Sequence, residues 1–211
     1  MQKEEKIHIF CDSAVEYRYL LYQPKTKQEE KLPLIVFLHG AGERGENLSS
    51  LKAHSIPQMF NGDVKYPCIV VSPQCAADSF WTAQIPQLKA FIDTIATQYP
   101  VDKNRIHLTG VSMGGFGTWH MAMAYPDMFA SIVPICGGGM PWNAGVLTMP
   151  VRAFHGEVDT VVDVRESIAM YESLKKTNRN ATLTIFPGVD HNAWDYAYRE
   201  ELIDWMLKQK K

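Results

Sequence analysis

The chain has 211 residues, of which 46% are hydrophobic and 21% charged, with a formal net charge of -2. That is an ordinary globular composition, large enough for one substantial core, so a single domain over residues 1–211 is expected. The only lysine cluster is Lys208, Lys210 and Lys211, which excludes the basic footprint of a nucleic-acid binder, and no apolar run reaches the length of a membrane span.

The first residues, Met1 to Lys6, are polar and lack the apolar centre of a secretion signal, giving the expectation of a cytoplasmic protein. Cys11, Cys68, Cys75 and Cys136 have no zinc-like spacing and no C-x-x-C pair, so reduced thiols are expected, with a Cys68–Cys75 disulfide as the alternative. Lys6 to Phe10 and Val15 to Leu21 alternate polar and apolar residues, as half-buried antiparallel strands at a sheet edge do. Thr26 to Lys31 is polar and reads as a turn. Leu34 to Leu38 is continuously apolar, the pattern of a strand covered on both faces.

That strand runs into the glycine-rich loop His39-Gly40-Ala41-Gly42-Glu43-Arg44-Gly45. Helical character around Leu48 to Phe60 is interrupted by Pro57, and Cys68 to Ser72 forms a second buried strand. Leu88, Phe91, Ile92 and Ile95 have helical spacing within Ile85 to Tyr99. Ile106 to Thr109 is a short strand, followed by Gly110-Val111-Ser112-Met113-Gly114 and a helix that Pro126 stops. Ala130 to Ile135 and Val151 to His155 are strands, separated by a glycine-rich loop with Trp142. Asp163 and Glu166 suggest a capping box for a helix reaching about Lys176. Ala181 to Phe186 is the last strand and Trp194 to Lys208 a closing amphipathic helix. Strands alternating with helices from Leu34 onward predict a mostly parallel sheet with helices on both faces and antiparallel strands at its start.

The chemistry centres on Ser112. A Gly-x-Ser-x-Gly turn between strand and helix exposes a serine hydroxyl at the end of a sheet, beside helix amides that favour an anion. The hydroxyl needs a base, and the base needs an acid to fix its tautomer. Both belong beyond the carboxyl ends of strands. Asp159 follows the strand ending at His155, and His191 follows the strand ending at Phe186. Glu157 and Asp163 are the rival acids, and Asp190 reads as structural. The oxyanion donors expected are the amides of Met113 and of Ala41, with Gly40 as second choice. His39 opens its loop and can support it by hydrogen bonding.

The loop from His39 to Gly45, Pro73-Gln74-Cys75, the serine pentapeptide, His155-Gly156-Glu157-Val158-Asp159 and His191-Asn192-Ala193-Trp194 occur together in family order. In this the chain resembles the phospholipase/carboxylesterase branch of the α/β-hydrolases, within it the small esterases often labelled predicted peptidases, related to feruloyl-esterase-like and polyhydroxybutyrate-depolymerase-like proteins. The resemblance implies an α/β-hydrolase fold and a serine hydrolase of carboxylic esters that needs no metal and no cofactor, with Ser112, Asp159 and His191 as the triad and Ala41 and Met113 at the oxyanion.

The stretch from Ser112 to Asp159 holds one strand and a loop, too little for a helical lid, so an open cleft without a lid domain is expected. Trp81, Trp194 and Trp142 are the candidates to line it for a small-molecule or oligosaccharide ester, and Glu43 and Arg44 are expected to brace the oxyanion loop as an ion pair. A small serine peptidase is the alternative enzyme, and a hydrolase-fold binding protein the alternative from another class.

Overall fold

A computed structural model describes residues 2–9, 15–25, 30–62 and 66–211. Cys11 and most of the turn expected from Thr26 lie outside the described residues. The chain builds an eight-stranded sheet from β1 (Lys3–Ile9), β2 (Val15–Tyr22), β3 (Leu32–Leu38), β4 (Ile69–Pro73), β5 (Val101–Val111), β6 (Ser131–Ile135), β7 (Val151–Gly156) and β8 (Ala181–Phe186). Their spatial order is β1-β2-β4-β3-β5-β6-β7-β8; β1 to β2 and β2 to β4 pair antiparallel and all later pairs are parallel. This is the α/β-hydrolase arrangement.

The helices are α1 (Ser55–Met59), α2 (Ile85–Gln98), α3 (Met113–Ala124), α4 (Arg165–Leu174), α5 (Trp194–Ala197) and α6 (Glu200–Lys208). Each residue of β3 is buried, and alternate side chains divide between two cores as the pleat requires. Leu34, Val36 and Leu38 join Phe91, Ile92, Trp119 and Met170 from α2, α3 and α4. Ile35 and Phe37 join Ile56, Ala197, Ile203 and Met206 from α1, α5 and α6. The parallel strands are thereby sealed on both faces, which fixes the direction of their carboxyl ends.

Three local expectations need correction, and one alternative falls. Pro57 does not interrupt a helix; it sits in the first turn of α1, where its missing N–H has no intrahelical duty. The capping box does not form: α4 begins at Arg165, and Asp163 is held by Arg165 through its backbone amide (2.9 Å) and guanidinium (2.6 Å). The closing helix is two helices, because Tyr198 leaves helical geometry to bury its hydroxyl 2.8 Å from Thr109 Oγ1 on β5. Cys68 and Cys75 are free buried thiols, which removes the disulfide alternative.

Candidate active site

The nucleophile candidate is made available by backbone strain. Ser112 sits between β5 and α3 at φ 55° and ψ -118°, a region side-chain-bearing residues rarely occupy, and its amide donates to Ile135 O on β6 at 2.9 Å. The turn is tight enough that a Cβ on Gly114 would lie 1.9 Å from Leu38 O, so only glycine fits where α3 crosses the end of β3. The result points the Ser112 hydroxyl outward at the carboxyl edge of the sheet, at the amino end of a twelve-residue helix.

Three residues from three loops converge there. His191 Nε2 accepts from Ser112 Oγ at 2.8 Å, and His191 Nδ1 donates to Asp159 Oδ2 at 2.8 Å. Asp159 is fully buried in its side chain, and its Oδ1 takes the amides of Val161 (2.9 Å) and Val162 (2.8 Å). Burial alone would raise its carboxyl pKa; the bonds from His191 and from those two amides outweigh burial and hold it below the usual carboxylate range. Asp190 clamps the loops by accepting from the amides of Thr160 and His191, both at 2.8 Å. The rival acids serve elsewhere: Glu157 takes the Gly188 amide, and Asp163 is paired with Arg165.

The candidate oxyanion loop is fixed from behind. His39 Nε2 accepts the Cys75 amide at 2.9 Å, which leaves the hydrogen on Nδ1 to be donated to Gly40 O at 2.6 Å. Because a trans peptide points C=O and N–H in opposite directions, anchoring Gly40 O also orients the Ala41 N–H. Burial pushes His39 down to about 4, so it stays neutral and keeps this tautomer. A Cβ on Gly40 would lie 3.7 Å from Ser112 Cβ, which sets this loop against the nucleophile. Met113 opens α3, where the first amides have no intrahelical acceptor. Gln74 ties the loop further by donating to Glu43 O and Asn47 O, each at 2.9 Å.

Glu43 and Arg44 do brace this loop, but not as the ion pair expected. Glu43 instead meets His54 at 3.2 Å, while Arg44 donates to Ala41 O (3.0 Å) and Ser79 O (3.3 Å) and lies over the Phe80 ring. His54 in turn stacks on Trp194, whose ring meets His191 edge-on at 5.3 Å. Trp194 therefore stands beside the base. Trp81 requires a correction: it is fully buried, donates to His39 O at 2.9 Å and packs against Gly117, so it supports the oxyanion loop from the core and cannot wall a cleft. Trp142 is 82% exposed on the loop after β6.

A cleft of ≈ 400 Å³ adjoins the elbow, lined by Phe80, Thr82, Met113, Phe116 and His120. Sequence reasoning missed Phe80, Phe116 and His120 as lining residues, although the i, i+4 spacing of Phe116 and His120 puts both on one outward face of α3. The larger cavity, ≈ 690 Å³, is lined by Lys6, Glu16, Arg18, Glu46, Asp78 and neighbours and holds no member of the Ser112 constellation.

One cluster has the donor types of a metal site: Cys136, His155 and Asp159 bring ligand atoms within 4.8 Å of one another. Its chemistry does not suit a cation, since burial pushes the Cys136 thiol up to about 12 and both oxygens of Asp159 already accept hydrogen bonds.

The sequence pattern of the family described as phospholipase/carboxylesterase matches residues 23–200. A poly(3-hydroxyalkanoate) depolymerase C of Paucimonas lemoignei is 41% identical over 51 residues, which is 24% of this chain and 12% of that protein. A bifunctional acetylxylan esterase/xylanase of Neocallimastix patriciarum is 32% identical over 95 residues, 44% of this chain and 13% of that one. The solved structure of a thermostable esterase superposes with a TM-score of 0.86 at 30% identity, covering 100% of this chain and 63% of that chain. The chain thus spans roughly an eighth of the two curated relatives and less than two thirds of the solved esterase.

Proposed function

The chain belongs to the phospholipase/carboxylesterase family, and from that premise we propose that it is a serine hydrolase of carboxylic esters. The observation that carries the proposal is the unbroken chain from Ser112 Oγ through His191 to Asp159, with 2.8 Å at each link, on a strained elbow. His191 takes the Ser112 proton as the hydroxyl attacks the ester carbonyl, and Asp159 holds the imidazole in the tautomer that accepts it. The tetrahedral oxyanion lies between the amides of Met113 and Ala41. His191 then returns the proton to the leaving alcohol, and water repeats the sequence on the acyl-enzyme.

The cleft beside Met113 receives one side of the ester. Its two phenyl rings and thioether favour an apolar or aromatic group of modest size, and His120 and Thr82 offer polar contacts to a substituent. The other side of the ester faces Trp194, beside the base. Acylated carbohydrates and other small esters suit a cleft with this much exposure; the named activities of the depolymerase and the acetylxylan esterase point to the same bond type. Trp142 is the outlying candidate for sugar stacking, on its exposure alone.

A short-chain nitrophenyl ester assay tests the proposal. The wild type turns it over and is labelled by a fluorophosphonate; Ser112→Ala loses the labelling and about 10³-fold or more in kcat. A wild type that neither hydrolyses the ester nor takes the label would overturn the assignment, and peptide cleavage faster than ester cleavage would replace it with a peptidase.

A further inference from the structure

His155 is the next-to-last residue of β7, four residues before Asp159, and is fully buried. Its Nε2 lies 2.9 Å from Val162 O and 3.2 Å from Asp159 Oδ2. Both neighbours only accept, so Nε2 carries the hydrogen; it is donated to Val162 O, and the same N–H edge of the ring stands close against Asp159 Oδ2 without a hydrogen bond to it. On the other side of the ring, Nδ1 lies 2.7 Å from Ser167 Oγ on α4, and that hydroxyl is 2.9 Å from Gly137 O. Ser167 is itself buried, so the ring cannot turn without leaving polar groups unsatisfied. Asp159 Oδ2 therefore lies between two imidazoles: His191, which donates to it from the cleft, and His155, whose N–H edge faces it from the core.

We propose that His155 is a positioning residue for the reaction: it holds Val162, whose amide caps Asp159 Oδ1, in the place that orients the carboxylate for His191, and the N–H edge it sets 3.2 Å from Oδ2 holds back part of the negative charge that His191 would otherwise feel. The inference rests on the ester-hydrolase reading above. A carboxylate held by three donors and faced by a further N–H edge is fixed in its plane and is a poorer proton acceptor than one without that edge, which keeps the proton on His191 Nδ1 when the imidazolium forms. The arrangement also ties the acid to α4 through Ser167, so the triad's geometry is anchored outside its own loops.

The prediction concerns pH, so the other ionisable groups nearby matter. Among the described residues these are the Cys136 thiol, which donates to His191 O at 3.4 Å, and Asp190, bound to the His191 amide. Beyond them lie Asp163 paired with Arg165, Glu157 on the loop after β7, and Glu43 with His54 across Trp194. Of these only the Cys136 thiol also interacts with the Asp159 carboxylate, and burial, which pushes that thiol up to about 12, keeps it neutral.

The test compares wild type, His155→Phe and His155→Gln on the same nitrophenyl ester, with kcat, KM and the pH profile of kcat/KM measured for each. His155→Phe removes the donor. It is expected to lose on the order of tenfold or more in kcat with KM nearly unchanged. Its acid limb moves to higher pH, because the uncompensated carboxylate holds a proton on His191 more tightly. His155→Gln keeps an N–H near the same place and restores most of the kcat and the limb. If His155→Phe does not fold, Ser167→Ala removes the partner that holds the ring, and the limb moves the same way by less. An unmoved acid limb in His155→Phe or, where that variant does not fold, in Ser167→Ala overturns the inference, as does a parallel loss in the Phe and Gln variants. A wild type inert to esters and to fluorophosphonate removes the hydrolase reading and this inference with it; an active wild type beside unaffected variants removes the inference alone.

Discussion

The candidate catalytic groups are held by hydrogen bonds that leave each atom one task. His191 has a donor on one nitrogen and an acceptor on the other, and Asp159 is saturated on both oxygens. Asp159→Asn keeps the size of the side chain but puts an amide N–H or a neutral carbonyl opposite His191. A neutral carbonyl stabilises the imidazolium far less, and an N–H imposes the wrong tautomer. The expected result is a loss of about 10³–10⁴-fold in kcat with KM within a few-fold, measured by steady-state ester hydrolysis with labelling by fluorophosphonate slowed in parallel. The convergence of Ser112, Asp159 and His191 is legible in the sequence because each follows a recognisable strand and needs no knowledge of what lies across the cleft. His54 was not legible, since Glu43 is eleven residues away and Trp194 far along the chain. Trp81 misled for a related reason: a tryptophan carries the same composition signal in a core as on a wall, and what buries it is the small Gly117 opposite and the carbonyl of His39.

At the level of elements, the elbow depends on how closely α3 approaches β3. The carbonyl of Leu38 occupies the place a Cβ on Gly114 would take, and both sides of that contact are backbone. Gly114→Ala therefore has no side chain to move aside and must displace strand or helix. The expected cost is at the upper end of the roughly 1–3 kcal/mol typical of overpacking, or beyond it, seen as a fall of several degrees in the melting temperature. A melting temperature within a degree of wild type would show that α3 can slide without penalty. Elements with a strong apolar period, such as β3, α2 and β8, were readable to within a few residues. The break in the closing helix was not, because the amphipathic pattern continues through Tyr198 and only the buried hydroxyl of Thr109, on a distant strand, draws that residue out of the helix.

Taken whole, the molecule is a sheet with a core on each face and polar groups buried inside it, and those groups govern its response to acid. His39 and His107 are pushed by burial down to about 4 and about 3. An unfolded chain takes up protons on both below about pH 6.5 while the folded protein does not, so stability falls by about 1.4 kcal/mol per pH unit for each as pH drops from there toward their folded values. Asp159 and Glu43, held below the usual carboxylate range despite burial, add stability above that range and lose it as pH falls through their folded values. Melting temperature measured against pH is therefore expected to decline from near pH 6.5 downward. A flat curve between about pH 7 and 5 would mean that the two histidines can be protonated within the fold. The parallel character of this sheet followed from strands alternating with helices. Its order did not, since β4 pairs between β2 and β3, a placement that no local pattern encodes.

The backbone at Ser112 sets two requirements against each other. Its φ of 55° is comfortable for glycine and uncomfortable for every other residue, so the chain would be more durable with no side chain there. A laboratory selection for heat resistance alone would drift toward glycine at position 112 and deliver a tougher, silent protein. Stabilising libraries for this chain should be screened on turnover from the first round, or the nucleophile will be among the earliest positions they erase.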